Sequence, residues 1–181
     1  QLQIPLKDED NISFNGTYEF QDNYLINNTL GMPKINNIVG KVEFDQNDIK
    51  INDAKANISG SPISIELNNI GDITQVNIDG IINHEFIQLS LGENWANKTI
   101  GETHWSGEIK IKDKRTDIEI KTDLKGIQLD LPPPFNKKNN EITTLLLTKN
   151  SINEDQELVK VEIGTYAFIE LKRERNYEGI M

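Results

Sequence analysis

There is no cysteine anywhere in the 181 residues. Thiol nucleophiles, thiolate metal sites and disulfide staples are excluded together. Histidine is almost as scarce, with only His84 and His104. His84-Glu85 is followed by Phe86, Ile87 and Gln88, so the second histidine of a helical zinc motif is missing. Glu102 and His104 share one face of an extended chain, but two ligands do not complete a metal site. Positive charge is short as well: 19 Lys+Arg stand against 29 Asp+Glu, a net charge of −10. A surface of that sign repels phosphate backbones and anionic bilayers, so nucleic acid is excluded as a partner and peripheral membrane docking is disfavoured. No apolar run approaches the roughly 18–20 residues of a membrane span, and nothing resembles a signal peptide. The chain opens at Gln1 and stops at Met181 in mid-pattern. The expectation is a single excised β segment, 1–181, of a longer protein.

Apolar residues are also few. Counted with its 12 Gly and without its 4 Tyr, the chain is about 41% apolar, against roughly 45–50% for an ordinary globular domain. The surplus of Ile, Asn and Lys reads as the codon bias of an AT-rich genome. What apolar content there is recurs with period two, too regularly for a disordered chain. Ile12, Phe14, Gly16, Tyr18 and Phe20 alternate with polar residues. So do Ile38, Gly40, Val42 and Phe44; Ile63, Ile65 and Leu67; Val76 and Ile78; Ile109 and Ile111; Ile118, Ile120 and Leu124; Val159, Val161 and Ile163; and Ala167, Ile169 and Leu171. This is the pattern of half-buried strands. Turn-forming clusters separate the runs, among them Asp45 to Asp48, Gly60-Ser61-Pro62, Asn68 to Gly71, Asp113 to Arg115 and Asn136 to Asn140. Between Ile51 and Ala54 the alternation slips by one residue, as at a β-bulge.

The spacing predicts an all-β fold, an antiparallel meander of about ten to twelve strands. One short helix is expected near 83–92, with Asn83 as N-cap and Gly92 as stop, and a further turn from Trp95 to Lys98. No long amphipathic helix is available to cover a sheet. Each strand nonetheless offers one apolar face, so the sheet must either fold over as a sandwich or curl into a trough. Ile63, Ile65, Leu67, Ile109, Ile111, Ile118 and Ile120 are the candidate lining of that inner face.

Catalytic patterns are missing too. Asp45, Asn47 and Asp48 imitate the start of a calcium loop but lack its glycine and closing glutamate. No phosphate-cradling glycine loop and no nucleophile elbow occurs. Plentiful carboxylates leave a glycosidase-type pair open, and the solvated faces of strands account for them equally well. Asn11, Asn15, Asn27, Asn57 and Asn97 begin Asn-x-Ser/Thr triplets that chance supplies in so Asn-rich a chain.

The most distinctive run is Thr122-Asp123-Leu124-Lys125-Gly126-Ile127-Gln128-Leu129-Asp130-Leu131-Pro132-Pro133-Pro134-Phe135-Asn136-Lys137. It reads as a strand that meets a glycine and is stopped by prolines, which cannot donate to a ladder. Leu131 should be partly buried, and Pro132 to Pro134 should be extended polyproline-like chain that redirects the path. The run resembles the YhdP-family pattern Ser-Asp-Leu, one residue, Gly, an aliphatic, then Leu-Pro-x-Pro-x-x-Lys. Asp123, Leu124, Gly126, Ile127, Leu131, Pro132, Pro134 and Lys137 occupy the matching positions, with Thr122 where Ser is usual and Asn136 where Gly is usual. Gly101, Trp105 and Gly107 resemble the family's Gly-x-x-x-Trp-x-Gly stretch, and Gly60-Ser61-Pro62 its Gly-x-Pro turn. The similarity runs from about residue 12 to 180.

That resemblance, to the YhdP branch of the AsmA-like family, implies a segment of a long periplasmic protein built of repeated β units. The anchor would be one inner-membrane helix outside this segment. It further implies phospholipid transport between inner and outer membranes in outer-membrane biogenesis, along an apolar sheet face. Phospholipid acyl chains and neighbouring β segments of the same chain are the implied partners; no cofactor, metal or catalytic residue is implied. Two alternatives stand beside it. One is a structural or protein-interaction β module of the envelope, binding by strand addition. The other is a carbohydrate-active enzyme, supported only by Trp95, Trp105 and the carboxylates.

Overall fold

The computed structural model describes residues 2–3, 13–26, 33–113, 115–153 and 156–174. Of the described residues 66% are in strands and 8% in helix. The strands are β1 (Leu2–Gln3), β2 (Ser13–Leu25), β3 (Ile35–Asp45), β4 (Ile49–Ile58), β5 (Ser61–Ile70) and β6 (Ile73–Ile82). After the helices α1 (His84–Leu91) and α2 (Glu93–Ala96) come β7 (Thr99–Gly101), β8 (Thr103–Lys112), β9 (Arg115–Thr122), β10 (Ile127–Leu129), β11 (Leu145–Ser151), β12 (Gln156–Ile163) and β13 (Ala167–Glu174). One antiparallel sheet runs β1-β2-β3-β4-β5-β6-β8-β9-β11-β12-β13 and does not close; β7 and β10 form a separate antiparallel pair. The expected meander is therefore present. Ile12, the first residue of the expected alternation, lies outside the described residues.

Tight hairpins set the register. Ile58 pairs with Ser61 across Ser59-Gly60, whose φ angles of 47° and 77° suit a primed two-residue turn. Ile70 pairs with Ile73 across Gly71-Asp72, so Asn68 and Asn69 belong to β5 and not to the expected turn. At Asp45 the carboxylate accepts from the Asn47 and Asp48 amides at 2.8 and 2.9 Å, which makes the turn and holds its own pKa below the usual carboxylate range. The expected slip between Ile51 and Ala54 is a register shift in the β4–β5 ladder. Leu124 departs from its expected place: β9 ends at Thr122, and Leu124 takes φ 52° with its amide donating to Thr122 Oγ1 at 3.1 Å.

Residues directly across an antiparallel ladder share a face, so the register carries one set of side chains over the whole sheet. Tyr18, Val42, Ile51, Leu67, Val76, Ile109, Ile118, Lys149 and Val159 lie in successive strands on that face. The opposite face carries exposed pairs such as Lys41–Glu43, Lys55–Asp53 and Lys110–Glu108.

The apolar face is concave. Phe20 of β2 and Ile111 of β8 line one cavity although four strands separate theirs. In a flat sheet five strand spacings would hold them about 24 Å apart. Small residues ease the bend: a Cβ on Gly40 would come within 2.7 Å of Ala54 Cβ, and one on Gly80 within 2.6 Å of Trp105 Nε1. Register shifts in β2–β3, β3–β4 and β4–β5 add twist on the same side.

At one end of the strands the face is filled. Ile35, Ala56, Ile58, Ile63, Ile78, Trp105, Ile109 and Ile118 form a buried cluster, with Phe86 of α1 packed against it. Asn83 caps α1 by accepting from the Phe86 amide at 2.9 Å and from Ser61 Oγ at 2.9 Å. Ser90 and Ser59 hydroxyls meet at 2.9 Å, which seats α1 on the β4–β5 turn.

Candidate functional site

Two cavities occupy the concave face. The first, about 390 Å3, is lined by Phe20, Asn23, Tyr24, Leu25, Pro33, Ile35, Ile38, Ile51, Ala54, Ile65, Leu67, Val76, Ile78, Ile109 and Ile111. The second, about 370 Å3, is lined by Pro33, Ile58, Ile78, Ile82, Phe86, Trp105, Gly107, Ile109, Ile118, Ile120, Leu147, Lys149, Val159 and Arg173. Pro33, Ile78 and Ile109 border both, so the two are successive parts of one groove that crosses the strands. Each falls within the roughly 300–1,000 Å3 typical of ligand sites.

Six of the seven residues expected on this face border the groove. Ile65, Leu67, Ile109 and Ile111 line the first cavity; Ile109, Ile118 and Ile120 line the second. Ile63 lies on the same face but lines neither, because Gly80 opposite it leaves room for the Trp105 indole to cover it. The candidate lining had left out Leu147, Lys149 and Val159; Val159 already stood in the alternation, and parity within β11 places the other two. Lys149 sits two residues after Leu147 and so points inward.

Lys149 is the exception to the groove's apolar character. Its side chain is 11% exposed and its Nζ lies 2.8 Å from Glu157 Oε2, whose side chain is 5% exposed. Arg173, opposite Glu157 in β13 and two-thirds exposed, reaches Glu157 Oε1 at 3.8 Å. Burying an ion pair costs desolvation that its mutual attraction seldom exceeds by much, so stability alone does not explain it.

Of the distinctive glycines and prolines, Gly107 borders the second cavity, and Gly101, Gly126 and Pro132 to Pro134 line neither cavity. Trp105 lies over Gly80 and Gly107, with the position of a Gly107 Cβ 3.0 Å from the indole. Gly101 and Gly126 bring β7 and β10 together backbone to backbone. The Asp123 carboxylate accepts from the Lys125 amide at 2.9 Å, and Leu124 is buried. Leu131 is half-buried, as expected. Pro132 to Pro134 correct the expectation of extended polyproline: the Phe135 amide donates to the Pro132 carbonyl at 3.0 Å, closing a turn, and the Pro133–Pro134 bond is cis. The chain then returns antiparallel, Leu129 and Lys137 exchanging both backbone bonds. Lys137, 3% exposed, donates through Nζ to the Ile127 and Lys138 carbonyls at 2.8 and 3.0 Å. Burial lowers its pKa, against the pull of Glu141 and Asp123.

Trp95 is half exposed on α2, while Trp105 is buried on the concave face and lines the second cavity, which Trp95 does not border. Among the described residues no three His, Asp or Glu gather as a metal site, and no helix is long and apolar enough to cross a membrane.

The family model of the YhdP protein matches residues 1–180. The chain belongs to the YhdP family. It is thereby an envelope protein of the AsmA-like group, which is not known as an enzyme family. No curated protein and no solved structure matches the chain. In this YhdP chain Gly101 and Gly126 join β7 to β10, whereas Trp105 and Gly107 belong to β8 and border the groove.

Proposed function

We propose that this YhdP segment is a non-catalytic lipid conduit, its concave face holding phospholipid acyl chains in transit between inner and outer membranes. On this reading the segment lies in the periplasm. The observation that carries the reading is the groove. It runs from β2 to β13 on one continuous apolar face, and among the described residues no second sheet covers it. Measured along the curve, ten strands span about 43 Å, more than the ~30 Å hydrocarbon core of a bilayer. Tails lying across the strands would gain about 0.8 kcal/mol per methylene removed from water.

Ile120→Asp tests it. Ile120 borders the second cavity and is only half-buried, so its carboxylate stays hydrated in an empty groove and costs about 1–2 kcal/mol in lost packing and strand propensity. The variant should fold yet lose photo-crosslinking to an acyl chain that wild type captures. Wild type that never crosslinks refutes the conduit.

A second reading rests on β13, an edge strand with Phe168, Ile169 and Leu171 exposed. An unpaired edge accepts a further strand, and a neighbouring β segment of the same protein would continue the groove.

A further inference from the structure

The groove's charged lining has one sign. Lys149 and Arg173 border the second cavity, while among the described residues no charged one borders the first. The buried Glu157 pairs with both and offsets one of the two charges, so among the described residues the cluster keeps a net positive charge on an apolar face. The chain as a whole carries −10, so the groove reverses the sign of its own protein. Arg173 is held loosely, at 3.8 Å and two-thirds exposed, and Lys149 has three N–H donors of which Glu157 faces only part. We propose that Lys149 and Arg173 form a subsite for the monoanionic head of an acyl amphiphile, with Glu157 holding Lys149 in place; this rests on the lipid-groove reading above.

Length fits the assignment. An acyl chain of about 15 Å, half the hydrocarbon core of a bilayer, spans three strand spacings. Starting at Lys149 on β11, it crosses Ile118 on β9 and Ile109 on β8 and ends near Ile78 on β6, where the two cavities join. The head is then fixed at the β11–β13 end and the tail points toward β2. A phosphodiester and a carboxylate both satisfy this chemistry.

Equilibrium binding of three amphiphiles with one palmitoyl chain separates the cases: uncharged monopalmitoylglycerol, palmitate and palmitoyl lysophosphatidylglycerol. Wild type should bind at least one anion about tenfold more tightly than the glyceride, the value of one charge-assisted hydrogen bond. Preference for the lysophospholipid identifies the phosphodiester as the natural head, and preference for palmitate the carboxylate. Arg173→Gln leaves the buried pair intact and should reduce the preference severalfold, the anions losing more affinity than the glyceride. The double variant Lys149→Met/Glu157→Leu, which strands no charge, should reduce it likewise. Equal affinity of wild type for all three overturns the subsite while leaving the groove. Equal weakening of all three by Arg173→Gln also overturns it, since the arginine would then act by packing. A glyceride that fails to bind wild type refutes the groove itself, and the subsite with it.

Discussion

Gly101 faces Gly126 with no side chain between them, both at φ 97°, and a Cβ on Gly101 would strike the Gly126 carbonyl oxygen. Two glycines 25 positions apart are thus one contact that locks β7 against β10. Gly101→Ala should lower stability by about 3 kcal/mol, from a left-handed alanine plus a backbone collision. Gly71→Ala provides the control: φ is positive there too, but nothing lies within 4 Å. Urea unfolding should show a loss of only about 1–2 kcal/mol for that change.

Lys137→Met should also destabilise, by about 1–3 kcal/mol, because the Ile127 and Lys138 carbonyls lose their donor. The deficit should grow with pH. Burial lowers the folded-state pKa of Lys137 below its unfolded value of 10.5, so between the two the unfolded chain binds more protons. In that window wild type gains stability as pH rises, whereas a methionine contributes no titration. Unfolding of both proteins at pH 7 and pH 10 checks the sign.

For the inward ion pair, single and double substitutions should differ sharply. Lys149→Met removes the 2.8 Å partner of the buried Glu157 carboxylate and should cost about 3 kcal/mol. Adding Glu157→Leu should restore stability to within about 1 kcal/mol of wild type or better. A double variant as unstable as the single would show that the pair holds the β11–β12 register.

Amide exchange should be uneven across the sheet. The β5–β6, β6–β8 and β8–β9 ladders run without a break, whereas β2–β3 and β3–β4 each contain two register shifts. Amides of β6 and β8 should be the slowest to exchange, and those of β2 and β3 the fastest among the long strands.

Alternation made the strands and the greasy face legible in the sequence, because period two maps directly onto a pleated sheet. The cap at Asn83 and the stop at Gly92 were equally local. The three-residue cluster at Lys149, Glu157 and Arg173 was not, since its members come from three strands and meet only once register is known. Leu124 escaped because a single left-handed residue moves it out of the strand pattern without changing the apparent period. The proline turn escaped because three successive prolines usually favour an extended chain.

In the large sheet every strand lies beside the one that precedes it in that sheet along the chain. Assembly therefore needs no distant partner: each arriving strand finds its template already laid down. The longest detours are the excursions between β6 and β8 and between β9 and β11, and closure entropy rises only slowly with such lengths. A chain delivered from one end can thus zip up in order, each new strand adding at the edge its predecessor has just formed.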